Sequence, residues 1–277
     1  MKLGTHVSTA GGIIKAIDRA NNLSCNTFQI FVSNPRGWKP TFVSDSEITA
    51  FREKLTSVGM EESFAHSIYL INLASDNSFF RESSIDSLTH NLNLTHQLGL
   101  SGLVTHIGSH KDESLEIGIN RVISSIDTVL ANTSGNLLLE NTAGAGSLVG
   151  DTFKEIGEII RKVGDERLCF CLDTAHAFES GYSIQTEKGL EKMVAEIDKE
   201  IGINRVKAIH LNDSMSKFES HHDRHAEFGE GEIGMDGMTR IINFQDFREI
   251  PFIMETPKLK TGEFGKEFIE KIRGLQS

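Results

Sequence analysis

Eight short apolar runs recur along the chain, and most of them stop at an ionisable residue. They are LGTHVS (3–8), TFQIFVS (27–33), SFAHS (63–67), GLVTHIGS (102–109), NLLLENT (136–142), RLCFCLDTAH (167–176), RVKAIHLND (205–213) and PFIMETP (251–257). Helical patterns lie between them. In ESLEIGINRVISSIDTVL, Leu115, Ile119, Val122, Ile126 and Val129 fall at steps of four and three, one face of an α-helix. GLEKMVAEIDKEI does the same with Leu190, Met193, Val194, Ile197 and Ile201. Ser44 and Glu47 have the S-x-x-E spacing of a capping box. Eight alternating β and α segments in 277 residues predict an α/β fold, a (β/α)8 TIM barrel. The rival, an open doubly wound sheet, lacks support, because the pair Gly11–Gly12 is only a turn and no G-x-G-x-x-G follows the first strand.

The strand ends decide where chemistry lies. Runs finish at His66, His106, Glu140, Asp173, His210 and Glu255. Strand side chains alternate faces, so Val206, Ala208 and His210 share one face, as do Cys169, Cys171 and Asp173. Leu138 pairs with Glu140 and Ile253 with Glu255 in the same way. With these faces turned inward, all six polar groups crowd the C-terminal mouth, where this fold carries its active sites. One such residue alone reads as a solvated or hydrogen-bonded strand end. Three carboxylates buried together without positive charge would be very costly. A divalent metal answers the problem, and imidazole with carboxylate and no thiolate suits catalytic zinc, or manganese.

The stretch HHDRHAEFGEGEIG (221–234) adds more ligand chemistry on a loop. Asp223 and His225 stand two apart and face the same way on an extended segment, and His176 follows Asp173 by three residues. His176, Asp223 and His225 form a third candidate ligand set, and Gly229, Gly231 and Gly234 let the loop fold back over the mouth. A lone D-x-H would otherwise be an exposed polar turn. His221 and His222 read as solvated.

The rest of the sequence narrows the setting. Residues 1–277 read as one domain, with four prolines and no linker or low-complexity tract. No apolar run reaches the length of a membrane span. MKLGTHVSTAGG reads as strand and turn rather than as a signal peptide. Cys25, Cys169 and Cys171 form no CxxC and fit a reduced cytoplasmic setting. A net charge of −11 argues against a generally basic nucleic-acid-binding surface, although bound metal ions are invisible in that count.

Segments in a fixed order carry a resemblance: GTHVSTAGG, NPRGW, HSIYLINLAS, HIGSH, ENTAG, CLDTAHAFESGY, HLNDS, DRHAEFGEGEIG and ETP. Together they resemble the endonuclease IV family of apurinic/apyrimidinic (AP) endonucleases in base-excision repair. That resemblance implies a TIM barrel with a trinuclear zinc centre. It implies one zinc on His66, His106 and Glu140, and a second on Glu140, Asp173, His210 and Glu255. The third falls to His176, Asp223 and His225. It casts Glu140 and Glu255 as the catalytic carboxylates, and Arg36, Tyr69 and Leu70 as residues entering the DNA minor groove. It further implies metal-assisted hydrolysis 5′ to an abasic site in double-stranded DNA, leaving a 3′-hydroxyl and a 5′-deoxyribose phosphate, with 3′-end repair as a related activity. A monomer working in the cytoplasm, associated with the nucleoid, goes with that reading. Ala175 and Ile107 depart from residues frequent in the family, Cys and Pro, but neither is a ligand. The alternatives are a sugar isomerase or epimerase needing one metal, a non-catalytic DNA-damage-binding protein, and a structural metalloprotein. Tyr69 and Leu70 could instead be core, and Arg36 an ordinary surface charge.

Overall fold

The apolar runs become strands of one closed barrel in this computed structural model, which describes residues 1–60, 62–256, 258 and 265–277. In chain order the elements begin with β1 (Leu3–His6), α1 (Ile14–Asn22), β2 (Thr27–Phe31), α2 (Asp45–Ser57) and β3 (Phe64–His66). Next come α3 (Ser78–Gln97), β4 (Gly102–Thr105), α4 (Leu115–Ala131), β5 (Leu137–Glu140), α5 (Phe153–Val163) and β6 (Leu168–Asp173). Then follow α6 (Thr174–Glu179), α7 (Glu187–Glu200), β7 (Val206–His210), a ribbon of β8 (Asp213–Ser214) and β9 (His225–Ala226), α8 (Gly234–Ile242), β10 (Phe252–Met254) and a last helix, Lys266–Arg273. Strands β1 to β7 pair in parallel with their sequence neighbours, and β10 closes the ring between β7 and β1. Parallel strands need crossovers, and the helices supply them.

Helix starts follow their side chains. Ser44 accepts from the Glu47 amide while the Glu47 carboxylate accepts from the Ser44 amide, the capping box expected from the spacing. Ser114, Thr152 and Thr186 cap α4, α5 and α7 similarly. Each such cap contributes about 1 kcal/mol by satisfying an otherwise orphaned amide.

Among the described residues, two separate apolar clusters fill the fold. The larger packs the helices onto the outside of the barrel. The smaller consists of Phe64, Val104, Leu138, Cys169, Cys171, Ala208 and Ile253. Six of these stand two positions before His66, His106, Glu140, Asp173, His210 and Glu255. Period-two alternation therefore sets a hydrocarbon plug one layer beneath a ring of polar groups.

Several boundaries differ from the sequence expectation. The run 102–109 leaves the sheet after Thr105, and Gly108 turns at φ +119°. The run 167–176 ends as a strand at Asp173, whose carboxylate accepts from the His176 amide at 2.9 Å and so starts a helix at Thr174. The run 205–213 ends at His210. Ile107 and Leu211 are buried under the mouth loops, and their apolar character made the runs look longer. The expected strand 251–257 is observed as Phe252–Met254, and Pro257 lies outside the described residues. Leu115, expected on the buried face of α4, is 37% exposed, because it lies in the first turn, beyond the layer α4 packs on.

Candidate metal centre

The strand-end residues converge as the alternation required. Glu140 is buried at the centre, and its two oxygens face different partners. Oε2 lies 3.2 Å from His66 Nε2 and 3.3 Å from His106 Nε2. Oε1 lies 2.8 Å from His210 Nδ1. Among the described residues, three sets of candidate ligand atoms, each within 4.8 Å of one another, result: His66, His106 and Glu140; Glu140, Asp173 and His210; Asp173, His176 and His225. Glu255 joins the middle set, its Oε2 3.7 Å from His210 Nδ1. Asp223 reaches the last set from the loop, with Oδ2 3.4 Å from His176 Nε2 and Oδ1 3.4 Å from His225 Nε2.

Outer hydrogen bonds fix the imidazoles. His66 Nδ1 lies 2.8 Å from the Ser67 carbonyl, and His176 Nδ1 lies 2.9 Å from the Asn141 carbonyl. A carbonyl only accepts, so both rings donate from Nδ1 and turn Nε2 inward, the atom left to face a cation. The Nε2 atoms of His176 and His225 are buried without a hydrogen-bond partner among the described residues. Buried polar atoms are normally satisfied, so orphaned imidazole nitrogens beside carboxylates fit a divalent ion.

The electrostatics agree. Burial pushes the Glu140 carboxyl up, but the charges on His210 and His106 outweigh it and hold the group well below the usual carboxylate range. Glu255 is held low against burial by His210 and then His6. Burial pulls His210 down, while Cys171, Glu255 and Glu140 together lift it well above an ordinary imidazole. Asp173 and Asp223 likewise lift His176 against burial, so protons held on His176 and His210 offset the carboxylates, the task a cation would perform. Asp223, pushed up by burial and pulled further down by His176, sits at about 2.

The glycine-rich loop has a physical reason. The buried Asp213 carboxylate accepts from the backbone amides of Ser214, Ile233 and Gly231 at 2.8, 3.0 and 3.0 Å, with Gly234 at 3.3 Å. A Cβ on Gly231 would lie 2.3 Å from the Ser214 carbonyl oxygen, so only glycine lets the loop come so close. Gly229 and Gly234 take φ of +77° and +72°. Beneath the same loop, buried Glu179 accepts from Ser214 Oγ at 2.6 Å and from the Arg224 amide at 3.3 Å, and burial pushes its carboxyl up to about 7. His221, expected to be solvated, is half-buried with Nδ1 3.2 Å from the Ala143 carbonyl, whereas His222 is exposed as expected.

Around the mouth, Tyr69 is 57% and Leu70 39% exposed, so neither is a core residue. Arg36 is exposed on the loop after β2, and the Tyr69 amide ties that loop to its own by donating to the Pro35 carbonyl at 3.0 Å. A cavity of about 360 Å³ opens over the ligands and reaches Tyr69 and Arg224. A larger cleft of about 870 Å³ shares Phe31, Tyr69 and Glu255 with it and runs beneath the loops after β1 and β2.

Sequence reading missed the side chains that hold the ligands. Asn141 clamps Asp173 through both backbone groups, at 2.7 and 3.0 Å. Asn212 donates to Asp173 Oδ2 at 2.7 Å and accepts from the Glu255 amide at 2.9 Å. Their signal was an Asn one or two residues beyond a strand-end ligand. Gln29, Glu179 and Asp213 were also missed.

Comparison with known proteins now adds to the geometry. A family described as a xylose isomerase-like TIM barrel matches residues 17–275. The chain is 45% identical over 276 residues to a probable endonuclease 4 of Halothermothrix orenii, covering 99% of both sequences. The chain belongs to the endonuclease IV family. The crystal structure of endonuclease IV from Thermus thermophilus superposes with a TM-score of 0.89 at 33% identity, covering 99% of this chain and 98% of that one. A 3-keto-D-glucoside 4-epimerase from E. coli superposes at TM-score 0.69 with 13% identity and 99% coverage of both, which reflects the shared barrel alone. Within the endonuclease IV family, then, this chain carries a mouth in which every candidate ligand position is filled by imidazole or carboxylate.

Proposed function

We propose that this AP endonuclease, a DNA-repair hydrolase by family, cuts the phosphodiester 5′ to an abasic site in duplex DNA. It leaves a 3′-hydroxyl and a 5′-deoxyribose phosphate, and the same centre trims blocked 3′ ends. The chain works as a monomer in the cytoplasm; among the described residues no helix is long and apolar enough to cross a membrane.

The observation that carries the proposal is the split of Glu140, one oxygen toward His66 and His106 and the other toward His210. A carboxylate so placed suits two cations at once. His66, His106 and Glu140 would hold one zinc; Glu140, Asp173, His210 and Glu255 a second; His176, Asp223 and His225 a third, with manganese as a substitute ion. Bound there, the ions would supply Lewis-acid charge toward phosphate and lower the pKa of water so that it attacks at neutral pH. Glu255, anchored at the last barrel strand, orients the attacking water. Asp223 and His225 bring the loop's ligand set toward the departing side of the phosphate. Arg36, Tyr69 and Leu70 enter the minor groove. An abasic nucleotide has lost its stacking, so apolar wedges there flip it at low cost.

The test is incubation of the chain with zinc and duplex DNA bearing one abasic site, and separately with ketose and aldose sugars. Nicking that leaves ends a polymerase can extend supports the proposal. Sugar interconversion without nicking overturns it, and a reproducible content of one metal per chain overturns the trinuclear centre.

A further inference from the structure

Gln29 lies in the middle of β2 and is fully buried. Its neighbours Phe28 and Ile30 face outward into the larger apolar cluster, while Gln29 points into the mouth. A buried carboxamide is costly unless its polar atoms are bonded. Here they are. Nε2 donates to Glu255 Oε1 at 2.9 Å, and Oε1 lies 2.9 Å from His210 Nε2. Nε2 also lies 3.1 Å from His6 Nδ1.

The chemistry permits one orientation of this amide. An ionised carboxylate only accepts, so the NH2 must face Glu255. The carbonyl then faces His210, whose Nε2 must carry a proton to reach it. That leaves His210 Nδ1, 2.8 Å from Glu140 Oε1, as the ligand atom. A methionine would fill the same barrel layer without polar atoms, so space alone does not call for an amide.

We infer that Gln29 is a positioning residue that sets the His210 tautomer and the Glu255 rotamer together. It serves the single ion held by Glu140, Asp173, His210 and Glu255. This inference rests on the metal-centre reading but needs no DNA to test. Partners that orient metal ligands are worth about 10–100-fold in metal affinity.

The experiment titrates metal-free wild-type and Gln29→Met protein with zinc against a chromophoric chelator. The expected result is one ion weakened about 10–100-fold with the other ions held as in wild type. In the zinc-loaded wild type, long-range proton–nitrogen spectra should show His210 protonated at Nε2 and slow to exchange. In Gln29→Met that proton should exchange rapidly. Thermal melts of the metal-free forms complete the set. Unchanged zinc affinity, or equal weakening of every ion together with a large drop in melting temperature, overturns the inference. A wild-type chain that binds no zinc overturns the metal-centre reading itself. Zinc binding with no cleavage of abasic DNA overturns only the substrate.

Discussion

Replacing Asp213 by Asn tests whether the glycine-rich loop is held by its carboxylate. Both Asp213 oxygens accept, Oδ1 from Ser214 and Ile233 and Oδ2 from Gly231 and Gly234. Burial pushes this carboxyl up from its ordinary value despite those four amides, so charge is not what the site gains. It gains two acceptor atoms. Asparagine has one, and whichever way it turns, an NH2 group meets two backbone donors. The lost hydrogen bonds and the buried amides left unpaired cost about 2–4 kcal/mol. At about 2 °C per kcal/mol, the metal-free melting temperature should fall by about 4–8 °C if the loop melts with the barrel. If the loop loosens first, the cost appears in binding. Zinc on His176, Asp223 and His225 should then weaken by about 30- to 700-fold. A chelator titration beside a melt reads both. Asp213→Asn with unchanged melting and unchanged zinc affinity refutes the reasoning.

Four further outcomes follow from the same geometry. Glu179 has its folded-state pKa raised from 4.5 to about 7, so its stabilising contribution is present below pH 4.5 and is lost as pH rises to about 7. Glu179→Gln should therefore melt higher than wild type at pH 8 and similarly at pH 4.5; a parallel pair of stability curves would refute this. Glu255→Gln should bind abasic DNA yet cut it about 10²–10⁴-fold more slowly, as for loss of a group activating the nucleophile. The double change Asp223→Asn, His225→Ala should lose one zinc and keep the other two, and three retained ions with a normal rate would make the loop a plain polar turn. Arg36→Ala and the joint Tyr69→Ala, Leu70→Ala change should weaken incision with zinc content and melting temperature intact, since all three side chains are exposed. A large melting loss would remove them from the DNA-contacting set.

The convergence of the candidate ligands was legible because two rules acted together. Alternation fixes which side of a strand a residue takes, and the end of an apolar run marks the mouth. His66, Glu140, Asp173 and His210 obey both. The supporting groups escaped because they obey neither. Gln29 sits inside an apolar run and looks like an imperfection of the strand. Asp213 and Glu179 act mainly on backbone amides and a hydroxyl far away in sequence, and such partners leave no spacing to read. Leu115 was misplaced for a related reason: helical periodicity gives the face of a residue, not how far along the helix the neighbouring layer extends.

The hydrocarbon plug under the mouth has a consequence for the life of the protein. Phe64, Val104, Leu138, Cys171, Ala208 and Ile253 close the barrel below the candidate ligands. With an apolar core of its own, the barrel is expected to stay folded without metal, unlike a zinc finger, which unravels when stripped. On that expectation, a chain made where metal is scarce would complete its barrel first and load later. One stripped of metal after loading would remain a competent vessel, and refilling it would be a matter of ion supply rather than of new synthesis.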